Sequence, residues 1–304
     1  MRPPHVTIVE VGPRDGLQNE GSPVATADKV EFINRLSAAG LPVIEASAFV
    51  SPRWVPQMSD AADVFAHIDR RPSVRYSALV PNLAGLERAL RARVVEVAIF
   101  AASSETFSQR NINQTIDGSL MTYRSVCERA RDAGVRVRAY LSTAFGCPFE
   151  GDVDPSRVAE IAAALIDMGA FEVAVSDTIG IAHPGQVPGV IETIGRRVPL
   201  EQIALHFHDT RGTALANVLT ALDLGIATFD ASCGGLGGCP YAPGATGNLA
   251  TEDMIYMLDG LGIETGVSLQ GLIAASAYIE SQLDHPLPSR YYQAAKRSRD
   301  PGAV

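Results

Sequence analysis

Short β-branched segments alternate with longer amphipathic segments along most of the chain, and this alternation limits the fold more than any other feature. The strands are predicted at Val6–Val11, Pro42–Ser47, Val74–Leu79, Val94–Phe100, Val135–Ser142, Phe171–Ser176, Ile203–His208 and Thr228–Ser232. Their apolar runs are nearly continuous, which is typical of parallel strands covered on both faces. Eight strand–helix units in roughly 260 residues predict an α/β protein, a (β/α)8 TIM barrel.

A helical segment follows each predicted strand. The helices are predicted at Ala27–Ala39, Pro56–His67, Leu83–Ala92, Ser119–Ala133, Pro155–Met168, Pro184–Arg196, Thr213–Leu224 and Thr251–Leu261, with one extra C-terminal helix at Ser268–Leu283. Glycines at the expected helix C-caps support several of these ends. An open doubly wound sheet is the alternative. It is disfavoured because the residues after the first strand, GPRDGLQNE, contain no GxGxxG fingerprint.

We interpret residues 1–285 as one catalytic barrel domain with a C-terminal helical extension, and we expect a polar, poorly ordered tail over 286–304. The net charge of −9 disfavours nucleic-acid binding. No apolar run approaches the ~18 residues of a membrane span, so no membrane partner is expected. The N-terminus enters a strand without the apolar core of a signal peptide, which predicts a cytoplasmic protein. The four cysteines include no CxxC pair and do not suggest a disulfide framework.

Polar side chains collect at the ends of the predicted strands, where barrel enzymes carry their catalytic groups. They are Arg14 and Asp15 after strand one, Glu45 on strand two, Asn111 in a polar loop after strand four, Arg138 and Tyr140 on strand five, Asp177 and Thr178 after strand six, and His206 and His208 on strand seven. No one of these residues would suffice alone. Their clustering is the main indication of an enzyme.

The pair His206 and His208 is the sharpest local signal. Residues two apart on a strand face the same way, so both imidazoles project together. An HxH pair by itself fits two hydrogen-bonded histidines as well as a metal site. Adding Asp15 and Asn248 favours a divalent cation. Because these donors are nitrogen and oxygen without thiolate, they suit Mg²⁺ or Mn²⁺ better than structural zinc.

A glycine-rich stretch, CGGLGGCPYAPGATGN, runs from Cys233 to Asn248 after the last strand. Such a loop permits close backbone approach or closes over a bound molecule. It carries the thiol of Cys239 and ends at the amide of Asn248. We therefore predict a lid that brings a reactive group to a substrate.

Structural roles compete with catalytic ones at several of these positions. Arg14 and Asp15 fit an ion pair at a turn, or Arg14 fits a cation aimed at developing negative charge. Glu45 fits a structural salt bridge, or it orients a ligand, a water or Arg14. Asp177 and Thr178 also fit a cap on the turn into the next helix.

The motifs VEVGPRDGLQNE, FVSPRWVPQM, SDTIG, HFHDT and GGLGGCPYAPGATGNLATEDMIYML together resemble the hydroxymethylglutaryl-CoA lyases. The resemblance runs from about Thr7 to Val267, and its glycine-loop motif is highly specific. More loosely, the RDG turn and the HxH strand are similar to isopropylmalate and homocitrate synthases. The resemblance implies a metal-dependent lyase that cleaves 3-hydroxy-3-methylglutaryl-CoA to acetyl-CoA and acetoacetate. It also implies a homodimer acting on an acyl-CoA thioester.

The resemblance assigns roles to individual positions. It implies metal ligation by Asp15, His206, His208 and Asn248, and catalytic roles for Arg14, Glu45 and Cys239. Because His206 sits at the metal and titrates near neutrality, we favour it as the base, although the sequence leaves its division of proton transfers with Cys239 open. The remaining substrate or CoA contacts are assigned to Arg14, Gln18, Asn111, Arg138, Tyr140, Asp177 and Thr178.

Two departures from the family pattern concern the substrate. Ala48 stands where many members have serine, and Gly21 stands where several have a basic residue. The alternatives are a lyase for a different acyl branch, of 3-hydroxy-3-isohexenylglutaryl-CoA or citramalyl-CoA type, and a synthase running the reaction forward. A non-enzymatic metal-binding barrel would leave Arg14 and Cys239 unexplained.

Overall fold

Within residues 1–237 and 247–298, which the computed structural model describes, eight parallel strands close into one barrel in chain order. The strands are β1 (Thr7–Glu10), β2 (Val43–Ala48), β3 (Arg75–Leu79), β4 (Glu96–Ala102), β5 (Arg136–Ser142), β6 (Glu172–Asp177), β7 (Ile203–Phe207) and β8 (Thr228–Ala231). Closure comes from β8 pairing with β1, from Thr7↔Thr228 to Glu10↔Ala231. The predicted barrel is confirmed, with every strand end within two residues of its prediction.

Helices connect the strands and cover the outside of the barrel. They are α1 (Thr26–Ala38), α2 (Ala61–His67), α3 (Leu83–Arg91), α4 (Glu105–Ile112), α5 (Ile116–Asp132), α6 (Pro155–Asp167), α7 (Val187–Gly195), α8 (Ala214–Asp223), α9 (Thr251–Gly260), α10 (Leu269–Glu280) and α11 (Arg290–Ser298). Their apolar faces pack on the strands to form a continuous core. No helix in the described residues is long and apolar enough to cross a membrane.

Several segments differ from their predictions, including α5, which begins three residues earlier, and α10, which ends three residues earlier. The helix expected over 56–67 is a short 3₁₀ turn, Pro56–Met58, followed by α2. The one expected from Pro184 begins at Val187. The polar loop predicted after β4 contains α4, which a side-chain cap starts: Ser104 Oγ accepts from the backbone N–H of Phe107 at 3.2 Å. The sequence pattern missed α4 because this helix is mostly polar.

The C-terminal segment contains a helix that the sequence pattern did not predict. Residues 290–298 form α11, and Leu287 and Tyr292 are buried. Ser289 Oγ accepts from the N–H of Tyr292 and donates to Asp253 Oδ1 at 2.8 Å. The apolar residues interleaved in a polar sequence thus anchor the tail on α9. Residues 299–304 lie outside the described range.

The interior of the barrel is polar towards the C-terminal ends of the strands. Tyr140 on β5 donates to Glu45 on β2 at 3.2 Å, and Arg138 on β5 binds Asp230 on β8 at 2.8 Å. These strands are not neighbours, so both contacts cross the barrel. Branched apolar side chains usually fill this space. The barrel therefore holds a buried charged network where a site is expected.

The chain returns to the barrel at residues 247–250. Gly247 O accepts from the N–H of Asp209 at 3.0 Å, and Leu249 donates to Phe207 O at the same distance. On the other side, Ser232 donates to Leu249 O at 2.9 Å. This segment therefore lies between the ends of β7 and β8. Asn248, at its centre, forms a bridge with His208.

Position 247 requires glycine because the backbone packs closely around it. Its φ is +86°, and a Cβ built on it would lie 1.3 Å from the carbonyl oxygen of Gly237. We expect Gly247→Ala to lower Tm by at least about 2 °C, because the backbone strain and the clash both add to the folded-state free energy. Calorimetry measures this. Gly189→Ala on α7, which meets no atom within 4 Å, is the matched control and should leave Tm unchanged or higher. An unchanged Tm for Gly247→Ala would contradict the packing described here.

Candidate active site

A wide turn at the end of β1 places the first two site residues. The N–H groups of Arg14, Asp15 and Gly16 all point to Val11 O, at 3.1, 2.7 and 3.1 Å. This is a single π-helical turn, Gly12–Gly16, and such turns are frequent at functional sites. It presents Arg14 and Asp15 side by side at the mouth of the barrel.

Three predicted ligands come together at this mouth. A carboxylate oxygen of Asp15 and ring nitrogens of His206 and His208 lie within 4.8 Å of one another. Asn248 Nδ2 donates to Asp15 Oδ2 at 2.9 Å and to Leu236 O at 3.0 Å. These two bonds orient the amide, and Asn248 Oδ1 is left buried without a hydrogen-bond partner among the described residues.

The unsatisfied atoms fit a divalent cation. Both ring nitrogens of His208 are buried without a described partner, as is Asn248 Oδ1. Buried polar atoms normally find a partner, so an unpartnered amide oxygen beside the acceptor nitrogen of an imidazole indicates a positively charged ligand. The oxygen and nitrogen donors match the preference of Mg²⁺ or Mn²⁺.

The charges at the site favour the cation-binding forms of Asp15 and His208, whereas burial lowers the pKa of His206 but is outweighed by Asp230 and Asp15, which raise it. Burial raises the pKa of Asp15, but Arg14 and the two histidines more than offset this and hold it below its usual range. Burial and the neighbouring His206 lower the pKa of His208 to about 4. Near neutral pH, Asp15 is therefore ionised and His208 is neutral.

Arg14 is fixed between two carboxylates. Its Nε donates to Glu45 Oε2 at 2.5 Å and its Nη1 to Asp15 Oδ1 at 2.6 Å. Tyr140 also donates to Glu45 Oε2, while Glu45 Oε1 is buried without a described partner. Burial raises the pKa of Glu45, although Arg14 opposes this shift. The salt-bridge alternative for Glu45 is present in the structure, and Oε1 remains open to a further donor.

Asp177 and Thr178 both accept hydrogen bonds from backbone N–H groups at the barrel mouth. The Asp177 carboxylate accepts from the N–H groups of Ile181 and Ala182 at 2.9 and 3.1 Å. Thr178 Oγ1 accepts from the N–H of Thr143 at 2.7 Å. Burial raises the pKa of Asp177 to about 6, with the two N–H groups opposing it. Asp177 therefore caps the turn that follows β6, whereas Thr178 contacts the end of β5, and their contacts with substrate stay predictions.

The other predicted positions are more dispersed. Arg138 points into the barrel and pairs with Glu172 and Asp230, so its contact with an acyl-CoA stays a prediction. Asn111 is exposed on α4, and Gln18 is half-buried just after the π-helical turn. Cys239 lies in residues 238–246, outside the described residues.

Three buried carboxylates that support the site were not predicted. Asp230 Oδ2 lies 3.1 Å from His206 Nδ1. Glu10 Oε1 accepts from the N–H groups of Gly12 and Cys233, both at 2.8 Å. Glu252 accepts from the N–H of Gly234 at 2.9 and 3.0 Å. For Glu10 and Asp230, the sequence signal that could have found them is an acidic residue within or at the end of an apolar strand.

Glu10 joins the turn after β1 to the start of the glycine loop, and its ionisation should weaken the fold. Burial raises its pKa to about 8, next to Glu252, whose pKa burial raises to about 7, and to the buried thiol of Cys233. The unfolded chain ionises Glu10 at its ordinary, lower pKa. This contribution to stability is therefore complete below that ordinary value and is lost as the pH rises towards about 8.

Glu10→Gln should reduce the fall in unfolding free energy between pH 5 and pH 8, because a neutral amide can keep the two accepted bonds and donate to Thr251 Oγ1. Urea unfolding at three pH values measures the slope. Glu160→Gln on the exposed face of α6 is the control and should leave it unchanged. Equal slopes for wild type and Glu10→Gln would refute this role.

Comparisons with known proteins agree on one family. A family model described as HMGL-like matches residues 5–279. A hydroxymethylglutaryl-CoA lyase of Bacillus subtilis is 52% identical over 296 residues, covering 97% of this chain and 99% of that protein. The 3-hydroxy-3-isohexenylglutaryl-CoA/hydroxymethylglutaryl-CoA lyase of Pseudomonas aeruginosa is 54% identical over 292 residues, covering 96% and 97%.

A solved structure is similar over the same length. It is an HMG-CoA lyase from Acinetobacter baumannii in complex with coenzyme A and 3-methylmalate. It superposes with a TM-score of 0.92 at 37% identity, covering 98% of this chain and 97% of that one. The similarity thus includes the whole barrel and the C-terminal helices rather than an isolated motif.

Proposed function

The chain belongs to the HMGL-like family, and from that premise we propose that it is a divalent-metal-dependent carbon–carbon lyase that cleaves 3-hydroxy-3-methylglutaryl-CoA to acetyl-CoA and acetoacetate. The observation that carries this proposal is the cluster of Asp15, His206 and His208 beside the buried Arg14. It lies in a chain about half identical to such lyases along nearly its full length. A retro-Claisen cleavage needs these two elements, a cation for the alkoxide oxygen and a positive group for the enolate.

Asp15, His206, His208 and Asn248 are the residues that would hold the cation. Support comes from the closeness of the first three and from the unpartnered Asn248 Oδ1. A bound Mg²⁺ or Mn²⁺ would supply Lewis-acid polarisation of the tertiary hydroxyl and a neighbouring carbonyl oxygen of the substrate.

The hydroxyl proton leaves to a base as the bond between C2 and C3 breaks. His206 can offer only Nε2, because Asp230 engages its Nδ1 at 3.1 Å. A single nitrogen cannot ligate a cation and accept a proton at once. If His206 ligates, the buried and unpartnered Glu45 Oε1 is the acceptor that this chain offers next to Arg14.

Arg14 stabilises the thioester enolate that this cleavage produces. Its guanidinium is held by Asp15 and Glu45 and is almost fully buried, so it needs no reorganisation as negative charge develops. The enolate carbon then receives a proton, which we assign to the Cys239 thiol. Gly237, two residues before Cys239, lies against Asn248, since a Cβ built on Gly237 would be 2.6 Å from Asn248 Nδ2.

The substrate is proposed to be an acyl-CoA thioester, which the relative with bound coenzyme A supports. Gln18, Asn111, Arg138, Tyr140, Asp177 and Thr178 remain the proposed substrate-side residues. A cytoplasmic homodimer is proposed on the family resemblance. The Pseudomonas aeruginosa relative is named for both a methyl and an isohexenyl branch. The acyl branch that this chain accepts therefore has to be determined by assay.

Incubating the purified protein with 3-hydroxy-3-methylglutaryl-CoA and Mg²⁺ should release acetoacetate and acetyl-CoA in equal amounts. Exhaustive EDTA dialysis should abolish the release, and Mg²⁺ or Mn²⁺ should restore it, because the hydroxyl would otherwise lack its Lewis acid. Activity that survives dialysis would overturn the metal assignment. Turnover of only the isohexenyl or citramalyl-CoA analogue would replace the proposed substrate with that branch.

Cys239→Ala should lower kcat by on the order of 10²–10⁴, the usual effect of losing an acid–base group, with Tm unchanged. Steady-state kinetics and calorimetry measure both. Cys127→Ala is the matched control, since Cys127 is a buried thiol on α5 within the helical layer. Near-normal turnover by Cys239→Ala would remove this thiol from the mechanism.

A further inference from the structure

Asp230 lies inside the barrel with its carboxylate fully buried between a histidine and an arginine. Its Oδ2 is 3.1 Å from His206 Nδ1, and its Oδ1 is 2.8 Å from Arg138 Nη2. Arg138 Nη1 also reaches Oδ2, at 3.3 Å. His206 and Asp230 are register partners on β7 and β8, so the backbone fixes their separation.

We propose that Asp230 is a positioning residue that sets the tautomer of His206 and so prepares its Nε2 to bind the cation. This inference rests on the proposed function, in which His206 is a metal ligand. A carboxylate paired with arginine only accepts hydrogen bonds, so the neutral His206 ring places its proton on Nδ1. The lone pair is then on Nε2, the other ring nitrogen.

The neighbouring histidine lacks such a partner. Both nitrogens of His208 are without a hydrogen bond among the described residues. Asn248 and the backbone of Thr178 lie near its ring, whereas a buried carboxylate lies 3.1 Å from His206 Nδ1. A carboxylate behind a metal-bound imidazole commonly orients the ring and fixes the proton in this way.

Arg138 fixes which oxygen of Asp230 faces His206. Its Nε donates to Glu172 Oε1 at 2.6 Å, which holds the guanidinium with its two terminal nitrogens against Asp230. In Asp230→Asn, an amide NH₂ at the Oδ1 position would meet Arg138 Nη2 at 2.8 Å, donor against donor. At the Oδ2 position the NH₂ group faces Arg138 Nη1 at the longer distance of 3.3 Å and can donate to His206 Nδ1, so this placement is the favoured one. The imidazole proton then moves to Nε2, which blocks the cation.

Asp230→Asn thus inverts the His206 tautomer with almost no change of volume. We expect Mn²⁺ affinity, measured by electron paramagnetic resonance on the purified protein, to fall about 10–100-fold. In ¹⁵N-histidine-labelled protein without metal at pH 9, the His206 signals should change from the Nδ1–H to the Nε2–H pattern. The signals are assigned by their absence in His206→Asn.

Glu172→Gln is the matched control. It keeps an oxygen for Arg138 Nε and leaves the contact between Asp230 and His206 in place, so Mn²⁺ affinity should stay within about threefold of wild type. Asp230→Ala removes the acceptor without imposing a donor, and it should give a mixture of both tautomers. If Asp230→Asn does not fold, Asp230→Ala is the variant that tests the proposal.

The inference is overturned if wild-type His206 carries its proton on Nε2, if Asp230→Asn keeps wild-type Mn²⁺ affinity, or if Asp230→Ala retains only the Nδ1–H form. Wild-type protein that binds no Mn²⁺ would instead remove the metal site of the proposed function. In that case the tautomer data would still report on Asp230 separately.

Discussion

Two buried arginines hold the charged interior of this barrel together, and the site depends on them. Arg14 binds Asp15 and Glu45, and Arg138 binds Glu172 and Asp230. Buried carboxylates are costly unless each is paired and hydrogen-bonded, and each of these two arginines provides hydrogen bonds to two of them. At the barrel mouth, buried atoms of His208, Asn248 and Glu45 have no hydrogen-bond partner among the described residues. These atoms belong to residues that are proposed for the reaction.

Short connections, rather than the strands alone, determine the geometry of the site. The π-helical turn Gly12–Gly16 sets Arg14 beside Asp15, and the segment 247–250 sets Asn248 between the ends of β7 and β8. Glu10 hydrogen-bonds both to that turn and to the start of the glycine loop at Cys233. Because Gly12 in the turn and Cys233 at the start of the glycine loop both donate to Glu10, a displacement of Cys233 would also displace the turn that carries Arg14 and Asp15.

The sequence was sufficient for the fold class and for most of the cluster. The continuous apolar strands predicted the barrel, and the HxH spacing predicted two imidazoles on one face, which the structure places 5.1 Å apart between ring centroids. It was not sufficient for Asp230, Glu10 and Glu252, whose partners lie far away in the chain. It also missed α4, whose residues are too polar to show a helical period, and α11, which is held by contacts with α9.

By itself, the sequence determined which residue types stand at each strand end, because strand periodicity and the closure of eight units fix which side chains face one mouth. Only the tertiary structure decided how those side chains pair. Arg138 shows the difference: strand spacing predicted that it faces the same way as Tyr140, and the structure shows that Glu172 and Asp230 bind its guanidinium inside the barrel. The pairing of buried charges depends on distances and desolvation across the barrel, and the local sequence determines neither of them.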